Sequence, residues 1–366
     1  MSVPPTLSDG VVTIRGHRDS DARGSWEQCQ DPLSQQWTTV PVPYSMDDAR
    51  AFVTEIMPKG WVDDSEWGFA VEVGGRYAGT VSLRNEGSGR AEIAYGSHPW
   101  VRGTGAMERA LRLLLEWGFT FQGLRTVVWF ANKGNWASRK VAWRLGFSFE
   151  GTLRSWLPHR GDLRDAWVGT LLRDDPREPQ GTWLSVPELE AEGLRLRPWR
   201  DSDVPRIVEA CSDSETQRWL GDLPSPYDEA AARWWLEHST EQRALGRGVT
   251  WAVVDPADDV ALASVGIFDW TPQVELEIGY WAHPDARGRR VTTRAVATVL
   301  RHAFEELGVN RVKIFAATDT AASRRVIENN GLHFTGVERL GTRVRDGLAD
   351  VALYDLLAEE YAASRR

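Results

Sequence analysis

The chain has 366 residues, 42% of them hydrophobic and 26% charged, which suits two soluble domains and excludes a disordered or collagen-like protein. A net charge of −9, with −1 in residues 1–180 and −8 in residues 181–366, argues against a nucleic-acid partner. The sequence has no secretory start and no apolar run of about 20 residues, and only two cysteines, so we expect a cytoplasmic protein without a membrane partner, a disulfide scaffold or a zinc site.

Apolar periodicity predicts one series of elements twice along the chain. In the first copy a strand leads into a helical stretch, a hairpin, a strand, a long helix, a strand, a short helix and a closing hairpin. The predicted ranges are strands 11–15, 67–73, 77–83, 91–95 and 126–131 with helices 108–121 and 136–144. The second copy has strands 194–197, 250–254, 261–268, 276–281 and 311–316 with helices 293–307 and 321–329. The fold class is therefore α+β, with one sheet in each domain.

The two copies are related by sequence as well as by pattern. Residues 92–147 align without a gap to residues 277–332 at a constant offset of 185, and roughly a third of the positions are identical. Upstream, Cys29 matches Cys211 and Trp37 matches Trp219 at an offset of 182. We therefore expect an N-terminal domain over 1–175, a linker rich in Pro, Gly and acidic residues over 176–189, and a C-terminal domain over 190–366. The cysteines are best interpreted as equivalent, partly buried thiols.

A short loop between a strand and the long helix is the first candidate for chemistry. In the first copy it reads Arg102-Gly103-Thr104-Gly105-Ala106-Met107 and opens the helix. Unpaired N–H groups and the helix dipole at such a point favour an anion, so a pyrophosphate would fit, although a plain tight turn has the same composition. A second feature follows at a fixed distance, since Asn135 and Ser138 lie at the start of the next helix.

These residues resemble the GNAT superfamily of acyl-CoA-dependent N-acyltransferases, specifically the branch that acetylates ribosomal-protein N-termini and its small-molecule relatives. The resemblance covers the chain twice and implies two tandem GNAT-like domains, each with a mixed, mostly antiparallel sheet flanked by helices. The family's loop pattern is Arg/Gln-x-x-Gly-x-Gly/Ala. Arg102 and Gly105 match it and Met107 departs from it, whereas the second copy keeps Arg287 but has Arg290 in place of the glycine.

The resemblance implies acetyl-CoA or another acyl-CoA as co-substrate and no metal. The expected cofactor-binding residues of the first domain are Ser97, Arg102, Gly103, Thr104, Gly105, Ala106, Met107 and Asn135. In the second domain they are Arg287, Gly288, Arg289 and Arg290. Because a side chain at position 290 would crowd a phosphate on bare backbone, we expect the N-terminal domain to be catalytic and the C-terminal domain to be degenerate.

Acyl transfer to an amine needs a base for the nitrogen and a donor for the leaving thiolate. Glu92 and Glu277, in register on the strand before the loop, are the candidate bases, and an exposed strand glutamate is the alternative. Many family members protonate the thiolate with a Tyr, but Ala142 and Ile327 occupy that position here. The ribosomal-type branch uses a Ser instead, and it corresponds to Ser138 and Ser323, for which a helix-capping role competes.

Two further residue types invite a functional reading. His98 and His283 each precede a proline, which favours an extended corner over a catalytic base. The 19 tryptophans are a more specific hint, because several in the first copy have no Trp counterpart in the second. We expect some of them to wall the acceptor or acyl pocket of the N-terminal domain; they are Trp61, Trp100, Trp129, Trp136, Trp143 and Trp156.

Three functions remain in competition. The first is an N-acyltransferase that modifies a primary amine of a small molecule or a peptide with an acyl-CoA. The second takes the acyl group from the phosphopantetheine arm of an acidic carrier protein, which Arg287, Arg289, Arg290 and Arg294 would dock. The third is a catalytically inactive acyl-CoA sensor or scaffold.

Overall fold

The computed structural model describes residues 3–365 and divides into two units after Gln180. In chain order the first unit contains β1 Leu7–Ser8, β2 Val12–Arg15, α1 Ala22–Gln30, α2 Pro32–Trp37, α3 Met46–Ala51, α4 Met57–Val62, β3 Glu66–Val73, β4 Arg76–Gly87, β5 Arg90–Ser97, α5 Ala106–Phe121, β6 Thr126–Asn132, α6 Trp136–Arg144, β7 Ser148–His159 and β8 Asp162–Leu172. A π-helical turn, Phe52–Ile56, joins α3 to α4.

The strands of the first unit form one sheet in the order β1-β2-β3-β4-β5-β6-β8-β7. All neighbours pair antiparallel except β5 and β6, which are parallel. A parallel pair needs a long crossover, and α5 provides it. The apolar stripe of α5 packs on the sheet, where Leu111, Leu114 and Trp117 join the main hydrophobic core.

The second unit contains β9 Leu189–Ala191, β10 Leu194–Arg197, α7 Val204–Ser212, α8 Ser214–Trp219, α9 Glu229–Ala244, β11 Val249–Val254, β12 Ala261–Thr271, β13 Glu275–Ala282, α10 Val291–Arg301, β14 Arg311–Ala317, α11 Ala321–Glu328, β15 His333–Val344, β16 Gly347–Leu357 and α12 Ala358–Ser364. Its sheet has the same order as the first, β9-β10-β11-β12-β13-β14-β16-β15, with β13 and β14 as the parallel pair. The prediction of an α+β protein with two tandem, mostly antiparallel sheets is confirmed.

The predicted elements are found in both units with small shifts at their ends. The predicted helix over 293–307 is in fact α10 followed by a π-helical turn, His302–Glu306. The prediction did not include α9, of which Ala232 is the one residue that is fully buried, so its sequence carries little apolar periodicity. Residues 176–188 contain no helix or strand in the structure, and Leu184 and Leu189 join the core of the second unit.

A buried ion pair anchors the same corner in each unit. Arg15 at the end of β2 forms two hydrogen bonds to the Asp21 carboxylate, at 2.8 and 2.9 Å, and Arg197 binds Asp203 with the same two distances. Both arginines are at most 5% exposed. Because removing one partner of such a pair leaves a buried charge uncompensated, this repeated contact explains why the strand and the Asp-Ser-Asp turn occur in both copies.

None of the helices within residues 3–365 combines the length and the apolar character needed to span a bilayer. Both cysteines are buried free thiols, as the repeat predicted, and burial raises the pKa of Cys29 to about 11 and of Cys211 to about 12.

Candidate functional site

The parallel strands β5 and β6 separate part-way along their length. Their pairing ends at Ile93 and Trp129, although β5 continues to Ser97 and β6 to Asn132. We call residues 94–97 and 130–132 the splayed ends. The loop before α5 and the start of α6 both follow these ends directly, so the sequence-predicted site residues are gathered around this opening.

A hydroxyl cluster lies on the core side of the splayed ends. The Tyr95 hydroxyl is 2.7 Å from the Ser138 hydroxyl, and the Trp129 indole N–H donates to both oxygens, at 3.2 and 3.1 Å. Asn135 caps α6 by accepting a hydrogen bond from the Ser138 backbone N–H, which fixes the first turn that carries Ser138. Burial raises the pKa of Tyr95 to about 12, so its phenol stays protonated. The cluster therefore delivers hydroxyl donors to the opening.

Sequence reasoning missed Tyr95 and the role of Trp129. A signal existed for the tyrosine, because the Glu-Ile-x-Tyr sequence recurs in both copies with Tyr280 at the equivalent position. Trp129 carried no such signal, since its counterpart is Ile314. The indole reaches Ser138 because side chains alternate between the two faces of β6 and because α6 packs against the face that carries Trp129.

Glu92 lies on the opposite face of β5. Side chains alternate along a strand, and Ile93 and Tyr95 point to the core while Glu92 points away. Arg84, directly across on β4, donates to the Glu92 carboxylate at 3.0 Å. Burial is the largest influence on the Glu92 pKa and raises it; Arg84 lowers it, and the nearby Glu86 and Glu66 raise it. The carboxylate is thus a stronger base than an exposed one.

The loop before α5 has the backbone expected of an anion cradle. Gly103 and Gly105 have φ values of +78° and +81°, and a Cβ on either would meet no atom within 4 Å. α5 begins directly after Gly105, which has no side chain to cap it, and the Ala106 N–H donates to the Thr104 hydroxyl at 3.4 Å. The other N–H groups in the first turn of a helix have no partner within the helix and favour an anion. The side chains of the loop turn inward: Thr104 donates to the Val101 carbonyl at 2.7 Å, and Met107 packs in the core.

In the structure each loop arginine pairs with an aspartate that caps a neighbouring helix. Arg102 donates to the Asp31 carboxylate at 2.6 Å and to the Ser34 hydroxyl at 2.9 Å. Arg287 makes the equivalent contacts to Asp213 and to Thr216. In both units the guanidinium therefore ties the loop to the helix that its aspartate caps, α2 or α8. These contacts use one nitrogen of each guanidinium, Nη2.

The second unit keeps part of the site and fills the rest. Tyr280 and Ser323 lie 2.9 Å apart at their hydroxyls, and burial raises the pKa of Glu277 as it does for Glu92. Arg290 adopts a left-handed φ of +56° at the position of Gly105, so the loop conformation persists there with a side chain on it. On the outer face, Trp281 replaces Gly96 and packs on Trp199 and Trp235.

The histidines and most of the tryptophans have structural environments. His98 and His283 accept a backbone hydrogen bond in the turn after the strand and lie beside Glu27 and Glu209, as the pre-proline interpretation predicts. Trp61 is buried against Phe69 and Trp117. Trp129 is buried as well.

The remaining tryptophans of that set differ in exposure. Trp100 is half-buried and donates to the Tyr77 carbonyl, Trp136 packs 4.5 Å from Trp167, and Trp143 is half-buried on α6. Trp156 on β7 is 55% exposed. A role of Trp136 or Trp156 in an acceptor pocket stays a prediction.

Comparison with known proteins identifies the architecture. A model of the acetyltransferase (GNAT) domain matches residues 12–148 and again residues 193–333. The chain belongs to the GNAT acetyltransferase family. The expectation of a tandem member is therefore confirmed, and the protein is an N-acetyltransferase of the GNAT type.

Two curated GNAT relatives are named for their amine substrates. The putative ribosomal N-acetyltransferase YdaF of Bacillus subtilis is 37% identical over 183 residues, which cover 48% of this chain and 96% of that protein. The spermidine N(1)-acetyltransferase of Escherichia coli K12 is 34% identical over 120 residues, which cover 32% of this chain and 64% of that protein. A solved putative acetyltransferase from T. thermophilus is 27% identical, covers 50% of this chain and 95% of its own, and has a TM-score of 0.44.

The GNAT fold implies an acyl-CoA co-substrate, and the first unit fits it. The open space in front of Gly103 and Gly105 leaves room for a pyrophosphate on bare backbone, and the splayed ends of β5 and β6 lie next to it. Within residues 3–365 no group of three or more His, Cys, Asp or Glu side chains is placed to hold a metal ion.

Proposed function

We propose that the first unit transfers an acetyl group from acetyl-CoA to a primary amine of a small molecule or a peptide. The names of the relatives support an amine acceptor, since one is called a ribosomal N-acetyltransferase and the other a spermidine acetyltransferase. Because one name refers to the ribosome and the other to spermidine, the proposal includes both a peptide and a small molecule as the acceptor. In GNAT chemistry the donor supplies an activated thioester, so the chain's own residues need only bind, orient and move protons.

The observation that carries the proposal is the division of groups between the two faces of β5. Glu92 lies on the outer face, and the Tyr95–Ser138 hydroxyl pair lies on the core face. A thioester between the splayed ends would have a base on one side and hydroxyl donors on the other. Glu92 would accept the proton of the amine, directly or through water, and the Ser138 hydroxyl would donate to the thiolate.

The environment of Glu92 suits this task. An isolated glutamate is a weak base, and the burial of this one raises its pKa towards working pH. Arg84 limits that rise, because its guanidinium stabilises the charged carboxylate. The side chain is therefore more basic than a fully exposed strand glutamate.

We propose that the second unit does not turn over. Arg290 places a side chain where the first unit has Gly105, and Trp281 places a large ring on the outer face where the first unit has Gly96. The carrier-protein donor finds little support in the arginines that suggested it, because Arg287 is paired with Asp213 and Arg294 with the Glu192 carbonyl. Free acetyl-CoA is the donor that the first unit's loop fits.

The experiment is a thiol-release assay on the full chain with acetyl-CoA and two acceptors, spermidine and a peptide that begins with alanine. We expect Glu92→Gln to lower kcat by roughly 100-fold, because the base is lost while the shape is kept. The matched variant Glu277→Gln, at the equivalent site of the second unit, should change kcat less than about twofold.

Equal losses in the two variants would contradict the assignment of turnover to the first unit. Unchanged kcat in Glu92→Gln would remove the glutamate from the mechanism and leave the GNAT assignment intact. If neither acceptor is acetylated from acetyl-CoA, but both are acetylated when an acyl carrier protein supplies the acetyl group, the carrier protein would replace acetyl-CoA as the donor.

A further inference from the structure

Two buried amide oxygens in the first unit have no hydrogen-bond partner among the described residues. They are Oε1 of Gln28 on α1 and Oδ1 of Asn132 at the end of β6. Gln28 is 9% exposed and Asn132 is 7% exposed. Because a buried carbonyl without a donor is unfavourable, such groups in native proteins call for a specific reason.

The two side chains flank the splayed ends at the same level. Gln28 lies over Gly96, with Nε2 only 2.7 Å from the position that a Cβ there would take. Gly96 is three residues beyond Ile93, and Asn132 is three residues beyond Trp129, which are the last paired residues of β5 and β6. Gln28 thus covers one strand and Asn132 belongs to the other, at matching heights.

Both amides are on the outer face, together with Glu92. On β6, Trp129 and Ala131 belong to the core, so Asn132 points the other way, and its Nδ2 donates to the Trp37 carbonyl of α2 at 3.3 Å. On β5, Glu92 and Gly96 share the face opposite to Tyr95. The outer face therefore presents two carbonyl oxygens beside the splayed ends, and Glu92 lies on the same face four residues before Gly96.

The second unit has lost all of this arrangement except the glutamate. Ala210 replaces Gln28, Ala317 replaces Asn132 and Trp281 replaces Gly96. All three replacements are apolar, and Trp281 packs against Trp199. Among the described residues, the unpartnered buried amide oxygens are thus confined to the unit that keeps the glycine loop, and among buried side-chain oxygens the second unit has only the Thr320 hydroxyl without a partner.

We propose that Gln28 and Asn132 bind the acceptor, as two hydrogen-bond acceptors for the N–H groups of a primary ammonium. This inference rests on the proposed function of the first unit and deepens it. A primary ammonium has three N–H donors, and the two amide oxygens would receive two of them. The proton that Glu92 takes leaves the nitrogen lone pair free to attack, while the amides keep the nitrogen in place.

The first test compares Gln28→Ala and Asn132→Ala in the full chain, with spermidine as acceptor and acetyl-CoA as donor. The second unit carries alanine at both positions, so the fold tolerates these residues. We expect each variant to raise the spermidine KM by roughly 10-fold, with the acetyl-CoA KM unchanged. Gln30→Ala is the matched control, because this glutamine of the same helix donates to the Tyr44 carbonyl and should leave both KM values unchanged.

Gln28→Glu separates an ammonium from other N–H donors. A carboxylate at this position keeps an oxygen for a cation, so the spermidine KM should return to the wild-type value or below. A rise in the acetyl-CoA KM of the alanine variants would overturn the proposal, since the amides would then contact the donor.

A second measurement does not depend on the acceptor. An unpartnered oxygen destabilises the free chain, so Gln28→Met, which keeps the length and removes the polar group, should raise the Tm of the ligand-free protein by a few degrees. A fall in Tm would show that the amide is a structural contact and would overturn the proposal. If no amine is acetylated, the proposed function fails, and the Tm result still decides whether the Gln28 amide is held for a ligand.

Discussion

The two units have the same sheet order and the same corner ion pairs, and they differ where the strands of the parallel pair separate. Arg102–Asp31 in the first unit corresponds to Arg287–Asp213 in the second, so both loops are fastened in the same way. Around the opening, the first unit has glycines and amides where the second has larger or apolar side chains. Contacts retained in both units thus include the scaffold and the tyrosine–serine hydroxyl pair, and the unmatched positions lie around the opening.

One pair of facing residues in the sheet differs in size between the two units. Trp129 pairs across the sheet with Gly169, where an added Cβ would come 3.3 Å from the indole. In the second unit the smaller Ile314 pairs with the larger Tyr354. The large aromatic side chain therefore lies on β6 in the first unit and on β16 in the second, and the indole N–H that contacts Ser138 exists only in the first unit.

The largest expected effect that tests the difference between the two units concerns the loop glycine. Gly105→Ala places a methyl group in the open space in front of the loop at a left-handed φ, and we expect the Kd for acetyl-CoA to rise about tenfold, as measured by titration calorimetry. Gly123→Ala is the matched control, because Gly123 has a φ of +67° and open space at the other end of α5. Equal losses of affinity in both variants would indicate general strain rather than a phosphate cradle.

A smaller effect is expected at the indole that only the first unit has. Trp129→Phe removes the N–H donated to Tyr95 and Ser138 and keeps most of the ring, so kcat should fall about fivefold, the equivalent of one hydrogen bond. Trp167→Phe removes an indole N–H that has no partner within the described chain and should leave kcat unchanged. If the two variants behave alike, the hydroxyl cluster needs no donor from β6.

The smallest effect is a displacement of the pH profile. Arg84 lowers the pKa of Glu92, so Arg84→Met should raise that pKa further, against the background of Glu66 and Glu86. A base works only above its pKa, and the acidic limb of kcat/KM should therefore move to higher pH. Arg76→Met, on the same strand but stacked on Trp100, should leave the limb in place. A shift to lower pH in Arg84→Met would exclude Glu92 as the titrating base.

The sequence determined the repeat, the order of elements and the family, because these depend on periodicity and on spacings along the chain. Gly105, Ser138 and Glu92 were found in the same way, since each belongs to a motif at a fixed distance from its neighbours. The motif placed Arg102 among the expected cofactor-binding residues, but it contains no information about its partner Asp31, which lies 71 residues earlier in the chain and caps another helix.

The tertiary structure decided which side chains meet at the opening. Tyr95, Trp129 and Ser138 come from two strands and a helix, and Gln28 and Asn132 come from segments about 100 residues apart, so no local pattern links them. Their burial and their partners depend on where β5 and β6 stop pairing. That point is set by the packing of α1, α2 and α6 on the sheet, a long-range balance of contacts that single-residue preferences do not encode.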